Sequence, residues 1–108
     1  MKIEKSIQDF IEKTRIKPAL FIGEKSITKY RAFMDGWIFD KYSDIPDIYI
    51  LREFQDWIQK RFEIRSTHHW SQIILFYSLN EQEAFNAFLD LWDQFLADKN
   101  SPQSSARM

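Results

Sequence analysis

The sequence predicts an all-α, single-domain bundle of four main helices plus a short buried fifth segment. Three observations lead there. Apolar residues recur at i, i+3, i+4 and i+7 in successive stretches, the period of an amphipathic helix. With Gly 2 and Pro 3 in 108 residues the chain has few breakers, while 10 Phe, 4 Tyr and 4 Trp supply ample core material. Only one segment has the composition of a strand, and no other segment offers it a partner. A chain of this length closes around one core, so the domain is expected over residues 1–98, with 99–108 a polar, disordered tail.

Taken in order, Ile3, Ile7, Phe10 and Ile11 mark a first helix from about Lys2 to Arg15, with Ile16 closing it ahead of Pro18. KPALFIG, residues 17–23, is too short for a helix and ends in glycine, so it is expected to be an extended crossing segment that turns at Gly23 and Glu24. Ser26 then caps the central helix, whose Ile27, Tyr30, Phe33, Met34, Trp37 and Ile38 share one face. Ala32, Gly36 and Phe39 line a second side. Gly36 inside a helix costs about 1 kcal/mol relative to alanine, and one turn after Ala32 it implies that another helix crosses closely there.

YSDIPD, residues 42–47, reads as an exposed polar loop with Asp47 the N-cap of the next helix. In that helix Leu51, Phe54, Ile58 and Phe62 form the apolar stripe, Trp57 lies at its edge, and Arg52, Asp56, Lys60 and Glu63 are expected to pair at i, i+4 on the solvated side. RSTHHW is a turn. QIILFYS is the ambiguous stretch; Trp70, Ile73, Ile74 and Tyr77 also fit a helical spacing, and a short buried helix is preferred to a strand. Asn80 and Glu83 are spaced like a capping box for the last helix, with Phe85, Phe88, Leu89, Trp92, Phe95 and Leu96 on one face.

Charge and composition then restrict function. The absence of cysteine removes disulfides and thiolate chemistry and fits a reducing cytoplasm. No apolar run approaches the roughly 20 residues that span a bilayer, and MKIEKSIQDF is amphipathic and acid-bearing, unlike a signal peptide, so the expected location is the cytoplasm without membrane contact. The net charge of -1 hides an asymmetry: eight bases against four acids up to Arg31, and five acids with no base from Asn80 to Asp98. Such a distribution points to a partner, or to attraction between the two ends of the chain.

His68 and His69 are the only histidines, and neighbours in sequence point apart, so the expectation is that they cap or flank the helix starting near Trp70 and hold no metal. No carboxylate pair is set in an apolar pocket and no serine in a nucleophile elbow, so neither an enzyme nor a cofactor is expected.

The run KPALFIGEKSITKYRAFMDGW, with FQDWIQKRF, WSQIILFYS and EQEAFNAFLDLWDQFL, resembles small stand-alone bacterial proteins of the polymorphic toxin-immunity repertoire, among them immunity proteins of contact-dependent growth inhibition systems. The likeness spans nearly the whole chain except the tail. It rests on Pro18, Gly23, Phe33, Gly36, Trp70 and Phe85, which are structural residue types, so no functional residue carries over. It implies a non-enzymatic protein, monomer or weak dimer, that binds one cognate toxin and blocks its active site; the alternative is a small nucleic-acid-binding or regulatory module. A nuclease toxin must have a basic cleft, and a protein that plugs it would present carboxylates. Two acidic sets are candidates: Asp40, Asp44 and Asp47 flanked by Tyr42 and Tyr49, and Glu83, Asp90 and Asp93 on the last helix. Both are expected to lie away from the core, so that charge reversal at Asp44 and Asp47 would leave stability intact.

Overall fold

A computed structural model of the chain describes residues 6–100, and every regular element among them is helical. The elements are α1 (Ile7–Thr14), α2 (Ala19–Ile22), α3 (Ile27–Lys41), a 3-10 turn (Tyr42–Asp44), α4 (Ile50–Arg61), α5 (Trp70–Phe76) and α6 (Glu81–Lys99). The all-α expectation therefore holds, including the helical reading of the ambiguous α5. The expected start of α1 at Lys2, and the tail beyond Asn100, lie outside the described residues. Lys99, placed in that tail by sequence, is the last residue of α6.

The core is a run of touching aromatic rings. Phe54 of α4 sits at its middle, with ring centroids 5.4 Å from Trp70, 5.9 Å from Phe88, 5.1 Å from Trp92 and 5.3 Å from Phe95. Trp70 of α5 stacks on Phe88 at 5.0 Å, and Tyr30 of α3 meets Phe85 edge-on at 5.1 Å. Phe10 of α1 joins the far end through Tyr30, Phe33 and Trp37. Phe54, Phe88, Trp92, Tyr30 and Phe10 are all fully buried, so removing any one of these rings leaves a cavity worth about 3–5 kcal/mol. Tyr30 brings its hydroxyl inside as well. Thr14 Oγ1 donates to the carbonyl of Phe10 at 2.8 Å, so the Tyr30 hydroxyl is the donor in its contact with Thr14. Burial pushes the Tyr30 phenol pKa well above its ordinary value.

Short helices in this fold begin on side chains borrowed from elsewhere in the chain. Asp47 turns inward and accepts hydrogen bonds from the amides of Ile7 at 2.6 Å and Gln8 at 3.2 Å, so it caps α1 rather than α4. The expected cap of α4 by Asp47 is thus not made; Tyr49 occupies the N-cap position without a side-chain bond. Glu81, the first residue of α6, accepts from Ser26 Oγ at 2.9 Å, Thr28 N at 3.0 Å and Thr28 Oγ1 at 2.7 Å, and so caps α3 while Ser26 also accepts from Lys29. Burial alone would raise the Glu81 pKa, but the bonds from Thr28 and Ser26 outweigh it and hold the carboxyl below its usual range. At α5, Gln55 of α4 accepts from Trp70 N at 2.7 Å and donates to the carbonyl of His68 at 2.8 Å. A helix N-terminus has free N–H groups and a positive dipole end, and a carboxylate or amide oxygen from another element satisfies both while fixing how the two elements meet.

Three further expectations are corrected. KPALFIG is not extended: Pro18 starts the single-turn α2, which ends at Gly23 in the left-handed region (φ 82), where only glycine is unstrained. Proline supplies the helical φ of the first turn and loses no hydrogen bond there, which is why so short a helix forms. Among the described residues no helix covers the second side of α3. Ala32, Gly36 and Phe39 are exposed, and a Cβ at Gly36 would meet nothing within 4 Å. On α4, Arg52, Asp56 and Lys60 close no i, i+4 ion pair among the described residues; Glu53 instead reaches Lys99 of α6 at 2.7 Å.

Candidate functional site

The segment that joins α3 to α4 is where the first candidate set lies. Phe39 is 89% exposed, Tyr42 57% and Tyr49 66%, with Asp40 and Asp44 exposed between them. Ile45, buried at 5%, anchors the segment to the core, and the bonds from Asp47 to α1 fasten its far end. The structure therefore splits the predicted group. Asp40, Tyr42, Asp44 and Tyr49 remain at the surface, while Asp47 is part of the fold, because its carboxylate is occupied by two backbone amides. Charge reversal at Asp47 would not leave stability intact, contrary to the sequence expectation. Among the described residues Asp40 pairs with its neighbour Lys41 at 3.4 Å, a pair exposed enough to contribute little.

The second set is split the same way. Asp93 forms a two-pronged bond to the Arg15 guanidinium at 2.8 and 2.9 Å, joining α6 to the end of α1. That bond holds the Asp93 carboxyl below its usual pKa and raises that of Arg15. The basic N-terminal third and the acidic last helix thus meet within one chain, and Asp93 is not free for a partner. Glu83 and Asp90 stay exposed, and Glu83 gives its backbone N–H to Asn80 at 2.9 Å.

The histidines do what their position suggests. His69 is the N-cap of α5, its Nδ1 accepting from Ser71 N at 3.1 Å while Gln72 Oε1 accepts from His69 N at 3.2 Å. Burial, then the charge of Arg31, pushes its pKa down to about 4, with Asp35 opposing. His68 is exposed and bonded to Ser66 Oγ at 2.7 Å. Among the described residues no three His, Asp or Glu side chains are grouped to hold a metal ion, and no helix is long and apolar enough to cross a membrane.

Sequence reasoning missed a second region, the connector from α4 to α5 and the end of α5. Phe76 is 78% exposed, Tyr77 55% and Leu79 92%. Beside them a surface slot of about 280 Å³ is lined by Ile64, Ser66, His68, Gln72, Ile73 and Phe76. The slot owes its shape to the way α4 ends. Ile64 N bonds back to Gln59 O at 2.9 Å and Glu63 N to Lys60 O at 3.2 Å, the paired closure that needs a left-handed residue after the helix, and here Glu63 takes it at φ 54. Glycine is the usual residue in that position. The connector is then held by α4's own glutamines, Gln59 to the carbonyl of Ser66 at 2.6 Å and Gln55 to His68 and Trp70. Phe76 and Leu79 could have been noticed as apolar residues beside the polar break before Asn80, but helical period alone counted Tyr77 into the buried stripe. Phe39, on the second side of α3, was expected to meet another helix.

No family model, curated protein or solved structure matches the chain.

Proposed function

We propose that this protein is a non-enzymatic immunity protein that binds a cognate toxin, a nuclease with a basic cleft, and blocks its active site with the surface formed by Phe39, Asp40, Tyr42, Asp44 and Tyr49. The observation that carries this reading is the exposure of three aromatic rings and two carboxylates on the stretch from Phe39, near the end of α3, to Tyr49, which is itself fastened by Ile45 in the core and by Asp47 on α1. Aromatic anchors on a backbone that is already ordered bind with a small entropic cost, and the acids between them would sit where phosphates otherwise would. Glu83 and Asp90 form the second acidic surface. The protein acts as a monomer or weak dimer in the cytoplasm, without cofactor, metal, membrane or nucleic-acid partner. The resemblance to immunity proteins favours this reading over the alternative of a small nucleic-acid-binding or regulatory module.

The test is protection. Cells that express the cognate toxin domain survive when the protein is co-expressed, and Asp40→Lys with Asp44→Lys abolishes survival while the variant keeps its thermal midpoint. Protection intact in that variant and lost in Glu83→Lys with Asp90→Lys moves the docking surface to α6. Binding to DNA or RNA of any sequence that weakens steeply with salt, without protection, favours the alternative.

A further inference from the structure

On the α4–α5 side, away from the acidic segment, the slot lined by Ile64, Ile73 and Phe76 shares Ile64 with a second concavity lined by Gln59, Lys60, Glu63 and Arg65. Its lining is mostly apolar, with Ser66, His68 and Gln72 as the polar side chains. At about 280 Å³ it falls just below the roughly 300 Å³ at which small-molecule pockets begin, so it suits a bulky side chain better than a cofactor. Phe76, which lines it, is exposed, and so is Tyr77, which packs against Phe76 and Phe62.

Charge decides what kind of chain would bring that side chain. Arg15, Lys29, Arg31, Lys41 and Lys99 form ion pairs. Among the described residues Lys60, Arg61 and Arg65 form none, as Lys17, Lys25 and Arg52 form none, but Lys60, Arg61 and Arg65 are gathered within six residues at the end of α4. Lys60 and Arg61 also suit the negative end of α4, but Arg65 lies beyond the helix and has no such use. On its other side Lys60 borders Glu53 and Asp98, and these are already engaged by Lys99 and by the indole of Trp57. Against Glu63 and Asp56, the three cations leave the rim positive. A nucleic acid is a poor match, because it needs a track of phosphate contacts and has no use for an aliphatic floor, and Glu63 stands in the middle of the track.

We infer that this slot and its basic rim form a docking site for an acidic polypeptide segment that carries one bulky apolar residue. The apolar residue fills the slot between Ile64 and Phe76, and flanking carboxylates face Lys60 and Arg65. The site is separate from the surface proposed to meet the toxin and does not depend on that reading.

The test titrates the full-length isotope-labelled protein with a short Asp/Glu-rich peptide bearing a single central leucine and follows backbone amide shifts. Saturable shifts confined to residues 59–79 are expected, and Lys60→Glu with Arg65→Glu should weaken binding on the order of fivefold, as exposed ion pairs allow. Phe76→Ser, at a position exposed enough to leave the fold unchanged, should weaken it as well, and so should replacing the peptide's leucine by serine. Equal binding of a lysine-rich peptide overturns the proposal, as does tighter binding of a single-stranded oligonucleotide or the absence of saturable shifts. Shifts in the same residues that grow with protein concentration alone also overturn it, since they place a second copy of this chain in the slot.

Discussion

The two connectors on either side of α4 do the same structural work with different fasteners. Residues 42–49 are acidic and are fastened by a carboxylate, Asp47, that reaches across to the first two amides of α1. Residues 62–69 follow Lys60 and Arg61 at the end of α4, carry one acid and one base, Glu63 and Arg65, and are fastened by two neutral amides, Gln55 and Gln59, one helical turn apart on α4. Because the first connector uses an acid as its fastener, it gives up one of its two carboxylates to the fold. Because the second uses glutamines, its one lysine or arginine, Arg65, is not spent on the fastening. A charged residue in a connector is therefore a candidate for binding only once its hydrogen bonds have been followed, and the same rule separates Asp93, bound to Arg15, from Asp90.

The sharpest break of this comparison is Asp47→Lys. It removes two hydrogen bonds to a carboxylate and sets a cation against the positive end of α1, so a loss of about 2 kcal/mol or more is expected in urea unfolding. Asp40→Lys with Asp44→Lys should stay within about 0.5 kcal/mol, as exposed substitutions do. Equal losses in the two variants would show that Asp47 is no more a fastener than its neighbours.

Next in size is Gln55→Ala, which frees Trp70 N and the His68 carbonyl and should cost about 1–2 kcal/mol. Hydrogen exchange locates the damage: amides at the start of α5 should lose protection while those of Ile7 and Gln8 keep it, the reverse of the Asp47 variant. A uniform loss across both helices would mean that the two connectors are not independent.

Acidification should then act on the second connector's side through His69. Its folded pKa, near 4, lies below the ordinary 6.5, so between these values the unfolded chain binds a proton that the folded chain refuses. Stability is unaffected above pH 6.5 and falls as pH drops from 6.5 towards 4, because Nδ1 must stay unprotonated to accept from Ser71 N. His69→Asn keeps a capping acceptor and should flatten this part of the profile. A decline that persists in His69→Asn belongs to other groups; below the usual carboxylate range Glu81 and Asp93 add a further loss as their carboxyls are protonated.

How much of this was legible in the sequence depends on distance along the chain. Local signals gave the helices: Ser26 and Asn80 cap where their residue types predict, and the stripe of Phe54, Ile58, Phe85, Phe88 and Trp92 is buried as its period predicts. What was not legible is partner choice over long separations. Asp47 sits just before a helix, like an N-cap, and nothing local reveals that it serves a helix 40 residues earlier. Phe39 lies on the second side of α3, one turn after Gly36, where a crossing helix was expected, and it is exposed. Gly36 looked like a crossing point because glycine in a helix is costly; in the folded chain the space beside it is open, and its choice has no structural account.

The smallest effect is also the most specific, and it concerns Glu63. This residue ends α4 in the left-handed region at φ 54, where a side chain with a Cβ costs roughly 1–2 kcal/mol relative to its ordinary conformations. Glycine has no such penalty there, but it gives up more freedom on folding, which offsets part of the gain. Glu63→Gly should therefore stabilise the protein by about 0.5–1 kcal/mol, seen as a rise of a few degrees in the thermal midpoint. Glu63→Ala separates the causes. It removes the acid from the basic rim but keeps the Cβ, so its stability should stay near that of the parent if backbone strain is the reason, and should match Glu63→Gly if the reason is charge. On binding the two variants should agree, since both leave Lys60, Arg61 and Arg65 without the nearby carboxylate and both should strengthen capture of the acidic peptide. A variant series in which stability follows the Cβ and affinity follows the charge would establish that this one residue limits both the closure of α4 and the positive field of the second connector. If stability and affinity rise together in both variants, the strained backbone has no part in either.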